Sequence, residues 1–163
     1  MNKIKLPKIY KTSYDKNECN IGVVHLGFGA FHRAHQAVYL DDYMSKTNDL
    51  RWGIAAVNLR KIESDHFVKT SNEIKSIDGH LVKSYSSDGK DTVRMVRSHL
   101  EFYDWTVNPD ASKNLLSLES VHLITITVTE SGYYTDTNGK LNLNDPVIND
   151  EINISNFNTI YGY

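Results

Sequence analysis

The sequence predicts an α/β fold: a doubly wound, mostly parallel sheet carrying an inserted antiparallel hairpin. Three observations carry that expectation. Two short apolar runs, residues 21–26 and 52–58, flank a segment with no helix breaker, which is the pattern of a βαβ unit. Residues 121–128 are almost continuously β-branched or apolar, as a parallel strand covered on both faces should be. Between them, Leu81-Val-Lys-Ser-Tyr85 and Thr92-Val-Arg-Met-Val96 alternate about Ser87-Asp-Gly-Lys-Asp91, and Asp-Gly is a strong hairpin-turn signal.

Taken in order, residues 1–20 are polar, contain Pro7 and follow neither period, so they read as an N-terminal arm on which Tyr10 and Tyr14 pack against the domain. The first strand runs into Gly27 and Gly29, which let the backbone turn sharply and approach a ligand without a Cβ in the way. From Ala30 to about Lys46 the chain reads as one helix, with Ala30, Phe31, Ala34, Ala37, Val38 and Met44 on its apolar face. Arg33, Gln36 and Asp41 fall largely opposite. A helix starting just after a glycine turn aims unpaired N–H groups and the positive end of its dipole at one point, which suits a phosphate.

The second strand, residues 52–58, is followed by a helix from Glu63 to Ile74 and then by the hairpin. Leu100-Glu-Phe-Tyr-Asp-Trp105 is short and aromatic, and Asn108-Pro109 reads as an N-cap with proline in the first helical position, leading to Leu118. After the strand at 121–128 comes Thr129-Glu-Ser-Gly-Tyr133, at a strand end where crevices form. Thr137-Asn-Gly-Lys140 is a turn, and residues 141–150, polar and containing Pro146, read as loop.

Composition narrows the classes. A chain of 163 residues, 40% hydrophobic with net charge −2, buries a core without disulfides or metal. The single Cys19 fits a reducing compartment, and the N-terminus has no apolar run of signal-peptide or membrane length, so a cytoplasmic location is expected. Interleaved charges leave no electrostatic footprint for nucleic acid or a membrane surface.

The glycine pattern is Rossmann-like but incomplete. The dinucleotide fingerprint is Gly-x-Gly-x-x-Gly/Ala, and here His32 holds the third position, so on pattern alone an αβ unit whose glycines only close a turn has equal standing. The neighbouring residues shift that balance. Gly27-Phe-Gly-Ala-Phe-His-Arg-Ala-His-Gln-Ala-Val-Tyr-Leu-Asp41 resembles the N-terminal signature of the mannitol dehydrogenase family, the long-chain polyol-specific dehydrogenases that include fructuronate and tagaturonate reductases and arabinitol dehydrogenases. Arg51-Trp-Gly-Ile-Ala-Ala-Val-Asn-Leu-Arg60, Val121-His-Leu-Ile-Thr-Ile-Thr-Val-Thr-Glu-Ser-Gly-Tyr133 and Thr159-Ile-Tyr-Gly162 follow in the family's order. That family also has a histidine where the third glycine would stand.

The resemblance implies a dinucleotide-binding domain over residues 21–163, short of its C-terminal part, with NAD as cofactor and NADP as the alternative. It implies a small sugar or polyol substrate, of mannitol or arabinitol type, with a uronate reductase as the other reading. The family's catalytic lysine, with asparagine and histidine companions, lies in a mostly helical C-terminal domain beyond Tyr163, so no catalytic residue is assigned in this chain. The expected cofactor contacts are Gly27, Phe28, Gly29, Ala30, Phe31, His32 and Arg33 at the pyrophosphate turn, Asn58, Arg60 and Glu63 at the ribose, and Thr129 and Glu130 at the nicotinamide end. Charge at the second strand's end is mixed, Arg60 and Lys61 before Glu63 and Asp65, and does not by itself choose between NAD and NADP.

Rival readings remain open at this level. His32 and His35 share a helix face, and Asp41 or Asp42 would complete a metal site, but no second His/Cys cluster joins them in sequence. A methyltransferase turn has an acid two residues before its first glycine, where this chain has His25. A non-catalytic nucleotide-binding module is the third alternative.

Overall fold

The computed structural model describes residues 9–85, 87, 91–154 and 159–162. The chain divides into two compact units, Met1–Thr125 and Ile126–Tyr163.

The first unit is built on β2 (Ile21–Leu26), β3 (Gly53–Asn58) and β6 (His99–Asp104), with β7 (Leu123–Ile126) beside β2 at the boundary between the units. Their order is β6-β3-β2-β7, and the β2/β3 and β3/β6 pairs are parallel. This is the doubly wound arrangement expected. β3 lies in the middle and is buried along its whole length, which its Gly-Ile-Ala-Ala-Val-Asn sequence suits. The core gathers Val23, Ala37, Ile54 and Val96, with Val38, Leu40, Trp52 and Val82 packed on it.

A second sheet has the order β1-β5-β4, from β1 (Ile9–Lys11), β4 (His80–Ser84) and β5 (Thr92–Val96). β4 and β5 pair antiparallel, Val82 opposite Arg94, as the hairpin reading requires; of the expected turn, residues 88–90 lie outside the described residues. β1 corrects the reading of residues 1–20 as arm alone. Three residues are too few to display a period in sequence, and it is the parallel pairing with β5 that makes Ile9–Lys11 a strand.

The first helix departs from its expected form in two ways. It is broken at His35 (φ −123°, ψ −80°) into α1 (Ala30–Ala34) and α2 (Gln36–Thr47). At the break, the Phe31 carbonyl accepts the His35 N–H at 3.0 Å and also lies 2.8 Å from His35 Nδ1, and the His35 ring stacks on Phe31. The inward face is also not the apolar one expected. His32, Ala37, Asp41 and Met44 are buried, whereas Ala30 and Ala34 are exposed and Phe31 is 65% exposed. Buried polar groups are tolerated where they find partners, and His32 and Asp41 both do.

α3 (Ser64–Ile77) buries Phe67, Thr70, Ser71 and Ile74, and α4 (Pro109–Leu116) starts from Asn108, whose Oδ1 accepts the Ala111 N–H at 3.0 Å. Both match expectation. β7 is shorter than residues 121–128 and is not covered on both faces: Leu123, Ile124 and Ile126 are 41%, 50% and 45% exposed. Among the described residues it ends the order β6-β3-β2-β7.

In the second unit, a 3-10 turn at Glu130–Tyr133 precedes a small bridge, Thr135 to Leu141, and α5 (Pro146–Ile154). α5 overturns the loop reading of residues 141–150. Proline suits a first helical position, and Asp145 Oδ1 accepts the Val147 N–H at 2.9 Å, so Asp145-Pro146 is a helix start. Glu151 on α5 accepts hydrogen bonds from the Thr159 hydroxyl, at 2.6 Å, and from its N–H. Among the described residues no helix is long and apolar enough to cross a membrane.

Candidate functional site

Because β2, β3 and β6 run parallel, their carboxyl ends lie along one edge of the sheet, where crevices form in doubly wound folds. Three connections emerge there: residues 27–29, residues 59–63 and residues 105–108. A depression of about 540 Å³ bordered by Lys16, Asn20, Ile21 and Leu100 lies instead at the amino ends of β2 and β6, the edge that such folds leave unused.

Gly27 has φ +96°, in the region that favours glycine, and its N–H bonds the Val57 carbonyl at 2.8 Å, so the turn is pinned to β3. Gly29 caps α1 without any side-chain hydrogen bond, and a Cβ built there meets nothing within 4 Å. The first-turn amides of α1 are therefore uncapped by side chains beside open space. Phe28 packs edge-on against Phe67, Phe102 and His99, and the Arg33 guanidinium lies 5.2 Å from the Phe28 ring centre. Burial lowers the Arg33 pKa.

Beneath the turn lies a group of rings that sequence reasoning missed. His32 is 1% exposed and stacks on His25 of β2, with ring centres 3.5 Å apart and planes 7° from parallel. Its Nε2 is 2.9 Å from His99 Nε2, and its Nδ1 is 2.9 Å from Gln36 Oε1. Gln36 Oε1 also accepts the Thr125 hydroxyl at 3.1 Å, and Thr125 Oγ1 is 2.8 Å from His25 Nδ1. His80 Nε2 sits 2.9 Å from the Arg33 carbonyl. Burial is the first cause lowering all four histidines, His25 to about 3 and His32 to about 4, so the rings are neutral at ordinary pH. One signal was visible in sequence: His25 interrupts an apolar strand, and a buried polar group needs a partner. Nothing in the chain order announced His80 or His99.

At the end of β3, the Asn58 side chain closes its own turn, accepting from the Arg60 N–H at 3.2 Å and donating to the Arg60 carbonyl at 3.1 Å. Arg60 and Glu63 pair at 2.8 Å with exposed side chains. Asp104, at the end of β6, accepts from Ser64 and Thr106 hydroxyls; hydrogen bonding outweighs burial and lowers its pKa. His32 and His35 do not converge, the first ring being buried and the second exposed. Among the described residues no group of three or more His, Cys, Asp or Glu is placed to hold a metal ion. In the second unit, Thr129 and Glu130 are exposed, and Thr129 Oγ1 lies 3.2 Å from Ser131 Oγ.

A parallel sheet of this order with a glycine turn leading into a helix at its carboxyl edge defines the dinucleotide-binding class of α/β domains. Within it, residues 21–162 match the model of the mannitol dehydrogenase Rossmann domain, and the chain belongs to that family. It is 29% identical over 140 residues to a mannitol 2-dehydrogenase of Cereibacter sphaeroides, covering 86% of this chain and 28% of that protein. It is 29% identical over 153 residues to a polyol:NADP oxidoreductase of Gluconobacter oxydans, covering 92% of this chain and 31% of the relative. Its structure superposes on Pseudomonas fluorescens mannitol 2-dehydrogenase, solved as a ternary complex with NAD and D-mannitol, with a TM-score of 0.80 at 26% identity, covering 96% of this chain and 32% of that one. The chain thus spans about a third of the length of these relatives.

Proposed function

We propose that this chain is the cofactor-binding part of an NAD-dependent oxidoreductase that moves hydride between NAD and a linear polyol or ketose of the mannitol or arabinitol type. The observation that carries the reading is the open, uncapped start of α1 after Gly27 and Gly29 at the carboxyl edge of β2, in a domain of this family. The backbone of residues 27–32 receives the pyrophosphate, with Phe28 and Phe31 flanking it and Arg33 adding positive charge; His32 takes part through its N–H, since its ring faces inward. Asn58 shapes the turn that presents Arg60 and Glu63 to the adenosine ribose. Thr129 and Glu130 keep the role that the resemblance gives them, contact with the nicotinamide end.

Oxidising an alcohol also requires a base for the hydroxyl proton and donors for the developing oxyanion. No residue of this chain is assigned to either task. NAD supplies the hydride acceptor when bound, and this chain's part is to bind and orient it.

Gly29 offers a clean test. Its φ of −76° is open to any residue and a side chain there touches no protein atom, so Gly29→Val leaves the fold intact and blocks only the space above the turn. Calorimetric titration with NADH should show affinity about tenfold weaker or worse, the equivalent of one or more lost charge-assisted hydrogen bonds. Unchanged affinity in a folded variant would sink the phosphate-turn assignment.

A further inference from the structure

In dinucleotide folds the third glycine of the fingerprint lets the helix pack close against the strand. This chain has His32 there, and the ring fills the gap that a glycine would have closed. It lies flat on His25, from the strand that the helix would otherwise approach, and its edge reaches His99 on β6.

The hydrogen-bond directions follow from Gln36. Its Oε1 can only accept, so the Thr125 hydroxyl and His32 Nδ1–H both donate to it. Thr125 Oγ1 then accepts from His25 Nδ1–H, and the bare Nε2 of His32 accepts from His99 Nε2–H. His80 Nε2–H donates to the Arg33 carbonyl. Neutral rings thereby tie α1 to β2, β4 and β6, and through Gln36 to β7. The charges acting on these rings are those of Arg33 and Lys16, which oppose protonation, and of Asp41, which favours it at His80.

α1 needs such an anchor. It has five residues, far below the length at which a helix holds itself, and the irregular His35 separates it from the longer α2. We propose that His25, His32 and His99 form the positioning device of the cofactor turn, fixing α1 by a hydrogen-bonded stack in place of the third glycine. This rests on the cofactor reading above. His99 is the positioning residue to test, because it belongs to neither the turn nor the helix.

His99→Phe keeps the ring's volume and removes the donor, and it should weaken NADH binding about five- to tenfold, the equivalent of one lost buried hydrogen bond. His99→Gln, which can offer an N–H at the Nε2 position, should restore most of that loss. Leu115→Ala, in the α4 core, should lower stability with NADH affinity unchanged. Affinity of folded His99→Phe equal to wild type, or an equal loss in Leu115→Ala, overturns the positioning role. Should His99→Phe not fold, Gln36→Leu takes its place with the same expectation. Imidazole nitrogen shifts of the wild-type chain must also show His32 protonated at Nδ1 and His99 at Nε2, and the reverse in either ring refutes the network. A wild-type chain that binds neither NADH nor NADPH brings down the cofactor reading, and this one with it.

Discussion

One helical segment, residues 30–47, buries polar side chains at both its ends, and the two solutions differ. At the α1 end, His32 is satisfied by neutral partners: His25, His99 and Gln36. At the α2 end, Asp41, fully buried, is itself charged and is satisfied by an arginine together with neutral donors. Its Oδ1 accepts from the Tyr14 hydroxyl at 2.6 Å and the Arg97 N–H at 2.9 Å, and its Oδ2 pairs with Arg94 at 2.9 Å. Arg97 in turn grips Asp78 through two nitrogens, at 2.7 and 2.8 Å. The charged network bolts β5 and the segment that follows β1 to the helix, at a place with no assigned ligand; the neutral one underlies the turn proposed to meet the cofactor. Charge gives strength and neutrality gives fixed direction, because each neutral ring has one donor and one acceptor.

Removing the charge at Asp41 should have the largest effect. Asp41→Asn preserves shape and keeps one acceptor for the Tyr14 hydroxyl and the Arg97 N–H, but it removes the charge and puts an NH2 group against Arg94, leaving a largely buried guanidinium with Asp42 alone. A loss of about 3 kcal/mol or more is expected in urea denaturation, against about 1–3 kcal/mol for His99→Phe. Equal losses would mean that the two networks do not differ in kind.

Acid should separate them next. Burial pushes His25 down to about 3 and His32 to about 4, whereas in the unfolded chain each titrates near 6.5. Between those values the unfolded state binds more protons, so stability is complete above about pH 6.5 and falls as the pH drops towards 4. Each such proton contributes about 1.4 kcal/mol per pH unit across that window. At the other end, burial alone would raise Asp78, but hydrogen bonds from Arg97 and Lys16 win and hold its pKa below the ordinary carboxylate value of 3.8. Its share of stability is lost only as the pH falls below that value. Denaturation midpoints measured from pH 8 to pH 4 should therefore decline first through the histidines, and a flat profile between pH 6.5 and 4.5 would contradict their burial as neutral rings.

The same contrast explains what could be read from the sequence. The βαβ unit, the hairpin, α3 and the start of α4 follow from periodicity and from turn and cap residues, all of them local. The glycine turn was legible for the same reason. The facing of α1 and α2 was not, because apolar counting puts Phe31 inside and Asp41 outside, and the partners that reverse this, His99, Arg94 and Arg97, are brought in from β5, β6 and the link between them, far along the chain. The bounds of β7 were read too wide, 121–128 against Leu123–Ile126, because flanking β-branched residues continue the apolar pattern past the paired ones. α5 was signalled by Asp145-Pro146 and passed over because its surroundings are polar.

The smallest effect on stability is expected at the rim, where charge is neither buried nor shared. Arg60 and Glu63 pair at 2.8 Å with side chains 60% and 50% exposed, and such surface pairs contribute about 0–1 kcal/mol. Breaking this one should leave the denaturation midpoint almost unmoved, in contrast to both interior networks. It should instead move cofactor preference. With Glu63 or the neighbouring Asp65 holding the ribose hydroxyls, NADH should bind more tightly than NADPH, and Glu63→Gln should narrow the difference while Arg60→Ala leaves NADH affinity within about twofold. A relative of this chain is a polyol:NADP oxidoreductase, so either preference has a precedent among similar proteins. Paired titrations at physiological salt decide between them: tighter NADPH binding by the wild-type chain, lost in Arg60→Ala, would assign Arg60 and Lys61 to a 2′-phosphate and Glu63 to the lesser task of holding Arg60 in place.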